Sequence, residues 1–279
     1  MSKAIRLGFA IVVLVGAAAG NQARAADMQL LKAPMRSVAY DWTGFYVGVN
    51  GGGSAGKTST DVVFSSTLFT VGPGPFALGS ASQFLVGGLG GVQAGYNWQT
   101  NSTIVGLEAD IQATGQKGDA VLSTFVNVFP ACALPCQPPP PVPTAGTLDF
   151  AQKLPWLGTA RLRLGYTPAD RWLVYATGGV AFGEIKTDAT VTTALGQGPS
   201  TSSFSQDQVG WAAGAGVEAA LGGGWSGKVE YLHVDLGSFS YNYTSLTTFP
   251  FRGTFAATSH VTDDIVRVGL NYRVGGAKY

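Results

Sequence analysis

The stretch DDIVRVGLNYRV, residues 263–274, alternates between two kinds of side chain. One face carries Val266, Val268, Leu270, Tyr272 and Val274, and the other carries Ile265, Arg267, Gly269, Asn271 and Arg273. Strict alternation predicts a β-strand with one apolar and one polar face. A soluble β-sandwich would turn the apolar face inward, whereas a transmembrane barrel would turn it toward lipid and the charges toward the lumen.

The first 25 residues have the features of a secretory signal peptide. Lys3 and Arg6 form a basic start, an apolar run covers residues 7–20, and Ala23-Arg24-Ala25 is a small-x-small cleavage site. The apolar run is short for a transmembrane helix, which needs ~20 residues. We therefore expect export, with the mature chain starting at Ala26.

The composition points away from a soluble domain. Charged residues make up 12% of the chain, well below the ~25% usual in soluble proteins. The formal net charge of +1 gives no support for a nucleic-acid partner. In an oxidising compartment, Cys132 and Cys136 are expected to close a small disulfide loop. A metal site would need further His or Cys ligands nearby, and the sequence has none there, so we expect no metal and no cofactor.

Eight segments after the signal peptide carry strand patterns, and most have the ~9–11 residues with which a tilted strand crosses a bilayer. They cover residues 44–53, 85–99, 104–114, 154–166, 172–185, 208–220, 225–236 and 263–274. Long polar or Pro/Gly-rich stretches, at 54–84, 115–153, 186–207 and 237–262, alternate with short turns around 100–102, 168–170 and 222–224. This asymmetry is typical of outer-membrane barrels.

We therefore predict an all-β fold, an eight-stranded antiparallel up-and-down transmembrane β-barrel with long extracellular loops and short periplasmic turns. The chain then divides into a signal peptide (1–25), an N-terminal periplasmic segment (26–41) and the barrel (42–279). Aromatic residues gather at the periplasmic strand ends, and amphipathic rings prefer the membrane–water interface. The predicted interface aromatics are Trp42, Tyr96, Trp98, Tyr166, Trp172, Trp225 and Tyr272.

The same alternation predicts which side chains face the lumen. Five basic and four acidic residues share the predicted inner face: Glu108, Asp110, Arg161, Arg163, Glu218, Lys228, Glu230, Arg267 and Arg273. Each buried charge left alone would cost several kcal/mol, so this near balance predicts an interior charge network of ion pairs. An eight-stranded barrel is only wide enough to be filled by its own side chains.

Two motifs resemble catalytic or nucleotide-binding sequences. Residues 51–58, GGGSAGKT, match the phosphate-loop pattern, and residues 52–56 match the G-x-S-x-G elbow. Both patterns must open a helix, yet the chain continues with β-branched and Ser residues, so we expect no nucleotide partner. The two histidines, His233 and His260, are expected at the outer rim and in a loop. We predict that the protein is not an enzyme.

Several motifs together resemble the small outer-membrane β-barrel proteins of alphaproteobacteria. They are residues 41–52 (DWTGFYVGVNGG), 91–98 (GVQAGYNW), 105–110 (VGLEAD), 229–232 (VEYL) and 268–272 (VGLNY). This opacity-like, porin-family group includes RopB-type and hemin-binding outer-membrane proteins. The resemblance implies an OmpA-like barrel in the cell outer membrane with no catalytic residues to carry over.

The sequence therefore predicts an integral outer-membrane protein with a structural or surface-exposed role. Whether it also forms a narrow porin-like pore depends on how tightly the inner ion pairs fill the lumen. The alternative is a surface protein that binds a ligand such as haem, or a host molecule, through its long loops. The expected partners are outer-membrane lipid and the barrel-assembly machinery, and the loop ligand is unknown.

Overall fold

The computed structural model describes residues 40–66, 74–128, 142–193, 199–245 and 253–275. Eight antiparallel strands, each paired with the next, close into a barrel when β1 pairs with β8. The strands are β1 (Gly44–Ser66), β2 (Gly74–Thr100), β3 (Thr103–Val128), β4 (Val142–Ala169), β5 (Trp172–Thr193), β6 (Ser200–Gly222), β7 (Trp225–Ser245) and β8 (Gly253–Arg273). The predicted fold class is confirmed.

The short turns lie together at one end of the barrel. Asn101 has a left-handed φ of 56° in the β2–β3 turn, and Gly223 and Gly224 have φ values of 60° and 84° in the β6–β7 turn. Asn and Gly adopt this region at little cost, which explains why two-residue connections are possible here. Both ends of the described chain reach the same side, since the Val274 N–H donates to the Phe45 carbonyl at 2.8 Å.

The strands are much longer than the sequence pattern indicated. They contain 21–28 residues, about twice the length that crosses a bilayer. Much of what was predicted as long loops is therefore paired β-sheet, and that prediction of loop extent was wrong. The apparent phosphate loop, residues 51–58, is part of β1 and pairs on both sides, with β2 and with β8. Among the described residues, no helix is long and apolar enough to cross a membrane.

The half of the barrel next to the short turns has an apolar outer surface. We call it the membrane half, and its strand segments are 45–53, 86–98, 105–113, 156–166, 172–182, 209–221, 225–231 and 266–274. Val49, Leu107, Leu162 and Val268 are among its outward side chains, each at least half exposed. Its inner surface carries charged and amide groups instead.

The remaining segments form the outer half, in which the two faces exchange character. Outward hydroxyl groups pair across strands, as in Ser240–Thr258 at 2.9 Å and Thr190–Thr201 at 2.9 Å. The interior is dominated by a large apolar cluster with buried amides and hydroxyls between its members. The cluster includes Val62, Leu148, Phe150, Ile185, Leu236, Phe239 and Val261. The outer half therefore resembles a water-soluble barrel continuous with a membrane-spanning one.

Candidate functional site: the charged lumen and its inner mouth

Eight of the nine predicted interior charges lie together at the centre of the membrane half. We call them the lumen network: Glu108, Asp110, Arg161, Arg163, Glu218, Lys228, Glu230 and Arg267. Arg161 lies at the centre, with Nη2 2.7 Å from Glu108 Oε1 and 2.7 Å from Asp110 Oδ2. Its Nη1 reaches across to Glu230 Oε1 at 3.1 Å. A planar guanidinium suits such divided pairing, because its donors point in several fixed directions.

Further ion pairs connect strands that are not neighbours in the sheet. Lys228 Nζ on β7 lies 2.8 Å from Glu108 Oε1 on β3. Arg267 Nη2 on β8 lies 3.0 Å from Asp110 Oδ2 across the lumen and 2.5 Å from Glu230 Oε2 on the neighbouring strand β7. Arg163 on β4 donates to Glu218 on β6. The side chains of all eight residues are at most 3% exposed, so the pairs fill the cross-section of the lumen.

Two tyrosines that the sequence analysis did not single out complete the network. Tyr46 Oη donates to Glu108 Oε2 at 2.8 Å, and Tyr175 Oη donates to Glu230 Oε1 at 3.1 Å. A Cβ at Gly95 would lie 2.4 Å from Tyr46 Oη, so only glycine leaves room for that ring. Tyr46 shares the inner phase of β1 with Gly48 and Asn50, and Tyr175 shares that of β5 with Thr177 and Gly179, which was the available signal. The Arg163 guanidinium also lies 3.6 Å from the Tyr175 ring centroid.

The ninth predicted charge, Arg273, lies apart from the network at the inner mouth of the barrel. Its guanidinium lies 4.8 Å from the Tyr40 ring centroid and donates to the Asp41 carbonyl. The segment 40–43 crosses this mouth, with the Tyr40 N–H donating to the Asp170 carbonyl at 2.9 Å and the Trp42 N–H donating to Gln99 Oε1 at 2.8 Å. We call this segment the mouth strap.

Trp42 does not belong to the interface aromatics, so that prediction was wrong for this residue. Its side chain is 3% exposed and packs inside the barrel with Ile104, Leu173 and Tyr175. The cause is the path of the mouth strap, which turns across the opening before β1 begins. The other six rings lie on the outer surface at the short-turn end and are 37–58% exposed: Tyr96, Trp98, Tyr166, Trp172, Trp225 and Tyr272.

One buried carboxyl lies where the two halves meet and was missed by the sequence analysis. Asp263 is 1% exposed and accepts a hydrogen bond from Gln116 Nε2 at 2.6 Å. Burial, with the nearby Asp264 charge, raises the pKa of Asp263 to about 6. The alternation of residues 265–274, continued back by two residues, would have placed Asp263 on the inner face.

Both histidines lie on the outer surface of the outer half. His233 Nδ1 lies 2.8 Å from Asp264 Oδ1, and His260 Nε2 lies 3.7 Å from Asp235 Oδ1. Hydrogen bonds from Tyr231 and His233 lower the pKa of the Asp264 carboxyl, against the opposing effect of desolvation. No group of three or more His, Cys, Asp or Glu in the described ranges is arranged to hold a metal ion. Cys132 and Cys136, predicted to form a disulfide, and the predicted signal peptide lie outside those ranges.

A closed eight-stranded barrel with an apolar outer belt, exposed aromatic rings at one end of the belt and a charged interior has the architecture of a transmembrane barrel of the bacterial outer membrane. The family model "Outer membrane protein beta-barrel domain" matches residues 9–273, and the chain belongs to this family. It is 33% identical over 273 residues to the 31 kDa outer-membrane immunogenic protein of Brucella melitensis biotype 1, covering 94% of this chain and 98% of the relative. The protein is an alphaproteobacterial-type small outer-membrane protein, and its location is the outer membrane.

A second relative is the 22 kDa outer membrane protein of Rhizobium leguminosarum bv. viciae. The two are 28% identical over 214 residues, covering 77% of this chain and 73% of the relative. Among solved structures, the outer membrane protein OprG from Pseudomonas aeruginosa aligns with a TM-score of 0.43 at 13% identity, covering 85% of this chain and all of that one. The outer membrane protease OmpT from Escherichia coli aligns with a TM-score of 0.41 at 9% identity, covering 85% and 99%.

Proposed function

We propose that the protein is a closed, structural barrel that projects a rigid β-sheet stalk from the outer membrane, and that it is neither a pore nor an enzyme. The observation that carries this proposal is the lumen network. Its four acids and four bases pair with one another inside the lumen, both between neighbouring strands and across the barrel, and their side chains are at most 3% exposed. A conducting barrel needs a continuous water path, and paired side chains that span an eight-stranded lumen leave little room for one.

The mouth strap supports closure at a second level. Trp42 and Tyr40 lie across the periplasmic opening, where Trp42 is buried against Ile104 and Leu173. An ion entering from this side would first have to displace an indole and then separate the ion pairs of the lumen network. Breaking one such buried pair is expected to cost about 3–5 kcal/mol.

The outer half supports a surface role. Its strands continue for roughly a dozen residues beyond the membrane half, and at ~3.3 Å per residue with a tilt of ~40° the stalk is about 25–30 Å tall. Strand ends such as Ser66 and Gly74 would then lie well away from the bilayer. The relatives from Brucella are named immunogenic proteins, which is consistent with display at the cell surface.

Planar-bilayer recording tests the closed lumen. We expect the refolded mature chain to insert and to pass no discrete current. The double variant Glu230→Ala with Arg267→Ala removes an acid and a base without changing net charge, and it should open a water path with reproducible steps. The matched control is Val229→Ala with Val266→Ala, two outward changes on the same strands. This variant should pass no discrete current. Stepwise conductance of the unaltered protein would favour a narrow pore and end this proposal.

Labelling of intact cells tests the stalk and its direction. Thr258→Cys lies on the outer surface of the outer half and should react with a membrane-impermeant maleimide. Asn101→Cys lies in a short turn and should react only after the outer membrane is opened. The unsubstituted protein measures the background from Cys132 and Cys136. Labelling of Asn101→Cys alone in intact cells would reverse the proposed orientation.

A further inference from the structure

Three lysines lie side by side on the outer surface of adjacent strands. Lys117 on β3 pairs directly with Lys153 on β4, and Lys153 pairs directly with Lys186 on β5. All three side chains point away from the barrel, and those of Lys153 and Lys186 are 49% and 50% exposed. We call them the lysine row. It was not anticipated from the sequence, because the pairing register alone brings these positions together.

Such a row is unfavourable for folding by itself. Side chains directly opposite in neighbouring strands have Cβ atoms about 4.5–5.5 Å apart, and like charges in these positions repel. Lysines often protect a free sheet edge, but a closed barrel has no edge there. The available acids neutralise the row only in part. Lys186 Nζ lies 3.4 Å from Glu184, Lys153 Nζ lies 4.0 Å from Asp188, and Lys117 has no ion pair within the described ranges.

The position of the lysine row relative to the apolar belt indicates which groups could offset the repulsion among its charges. Trp156 and Glu184 form the outward pair just below, separated from the row by a β-bulge between Lys153 and Trp156. Below them begins the apolar belt, with Leu162 and Val180 exposed. The acids Asp119 and Asp188 lie one outward position farther from the membrane. The row therefore faces the headgroup layer at the outer rim, where anionic groups attract basic side chains.

We propose that the lysine row binds the phosphate groups of an anionic glycolipid headgroup in the outer leaflet. Two cross-strand steps make the row roughly 10 Å wide, enough for more than one phosphate. Each ammonium sits on a flexible stem that can bend toward the bilayer surface while its methylenes cover the rim. The compact charge of lysine suits phosphate oxygens that vary in position, as those of a lipid do.

Native mass spectrometry of the refolded barrel in neutral detergent tests the proposal. The probe is diphosphorylated lipid A, and the comparison is the same glycolipid with both phosphates removed. At roughly a fivefold effect per lysine near an anionic surface, the variant Lys117→Gln, Lys153→Gln, Lys186→Gln should bind the phosphorylated lipid about a hundredfold more weakly. Lys57→Gln is the matched control, since Lys57 is an outward lysine whose strand partners are Phe84 and Thr262.

Several outcomes would overturn the proposal. Equal binding by the triple variant, equal binding of the phosphate-free lipid, or a loss in Lys57→Gln as large as in Lys153→Gln would each do so. Displacement of the lipid by millimolar inorganic phosphate would assign the row to free phosphate instead. Unfolding gives an independent readout. In neutral detergent the triple variant should be at least as stable as the unaltered protein, and phosphorylated lipid should reverse that order.

Discussion

The membrane half and the outer half are built from the same eight strands with opposite polarity. Strand β8 shows this within one segment. Its outward positions are apolar from Val266 to Val274 and polar from Thr258 to Asp264, while its inward positions change from Arg267 to Ile265 and Val261. Along β8, inward and outward residues alternate without interruption from one half to the other, so the change in polarity does not come from a β-bulge in this strand. The solvent on the outside therefore decides which face is apolar, while the backbone remains the same.

The two halves are consequently stabilised by different forces. In the outer half, burying apolar side chains away from water favours the folded state. In the membrane half, lipid already surrounds the apolar face, and the interior is held by ion pairs and hydrogen bonds that must satisfy one another. A change that is harmless in one half should therefore be costly in the other.

The largest expected effect comes from the centre of the lumen network. Arg161→Met removes the guanidinium that contacts Glu108, Asp110 and Glu230, leaving buried carboxylates without their partner. We expect a loss of about 3–5 kcal/mol in the free energy of unfolding. Urea titration of the barrel in vesicles measures it. Lys57→Met, an outward change, is the control and should stay within about 0.5 kcal/mol. A comparable loss in both variants would contradict the role assigned to the network.

The sharpest contrast between the halves is a pair of outward arginines on β8. Val268→Arg places a charge in the middle of the apolar belt and should cost about 2–4 kcal/mol. Thr258→Arg makes the same change in the outer half and should cost less than about 0.5 kcal/mol, because that surface faces water. Equal costs, measured by the same titration, would show that the belt does not end where the outward polarity changes.

A core truncation tests the apolar interior of the outer half. Val261 is 2% exposed within the apolar cluster, and Val261→Ala removes buried methyl groups. We expect a loss of about 2 kcal/mol, from transfer and cavity effects together. Hydrogen exchange should locate the weakening in the outer half, with the amides of the membrane half unaffected. Uniform weakening of all strands would instead mean that the two halves unfold as one unit.

The smallest predicted effect depends on pH at the boundary between the halves. The pKa of Asp263 is raised to about 6 in the folded protein, against ~3.9 for an unfolded chain. The folded state therefore binds the Asp263 proton more tightly than the unfolded chain does. The stability of the protonated carboxyl is fully present below about pH 4 and is lost as pH rises through about 6. At pH 7, Asp263→Asn should be more stable by about 1–2 kcal/mol, and the gain should vanish near pH 4. A pH-independent difference would contradict the raised pKa.

The sequence was most informative about the membrane half. Glu108 and Asp110 alternate with Leu107 and Ala109, so both the strand and its inner face could be read directly. The pairing across the lumen could not, because which charges meet depends on the stagger of eight strands. The outer half was taken for loops because its Ser, Thr and Gly content resembles turn composition. Alternation at Leu148, Phe150 and Gln152 was nevertheless present. Trp42 was assigned to the membrane interface because it precedes a strand. Its position in the sequence does not reveal that the mouth strap turns across the opening and carries the side chain inside.

The distribution of charge in the lumen network has a consequence for how the barrel assembles. Strands β3 and β4 contribute Glu108, Asp110, Arg161 and Arg163, and strands β6 to β8 contribute Glu218, Lys228, Glu230 and Arg267. Each set is electrically neutral by itself. Two partial sheets could therefore approach lipid without net internal charge. When the barrel closes, the charges of one set would form ion pairs with those of the other set across the lumen. Assembly in two balanced pieces would lower the barrier that β3, β4, β6 and β8, each with a net internal charge, would meet separately.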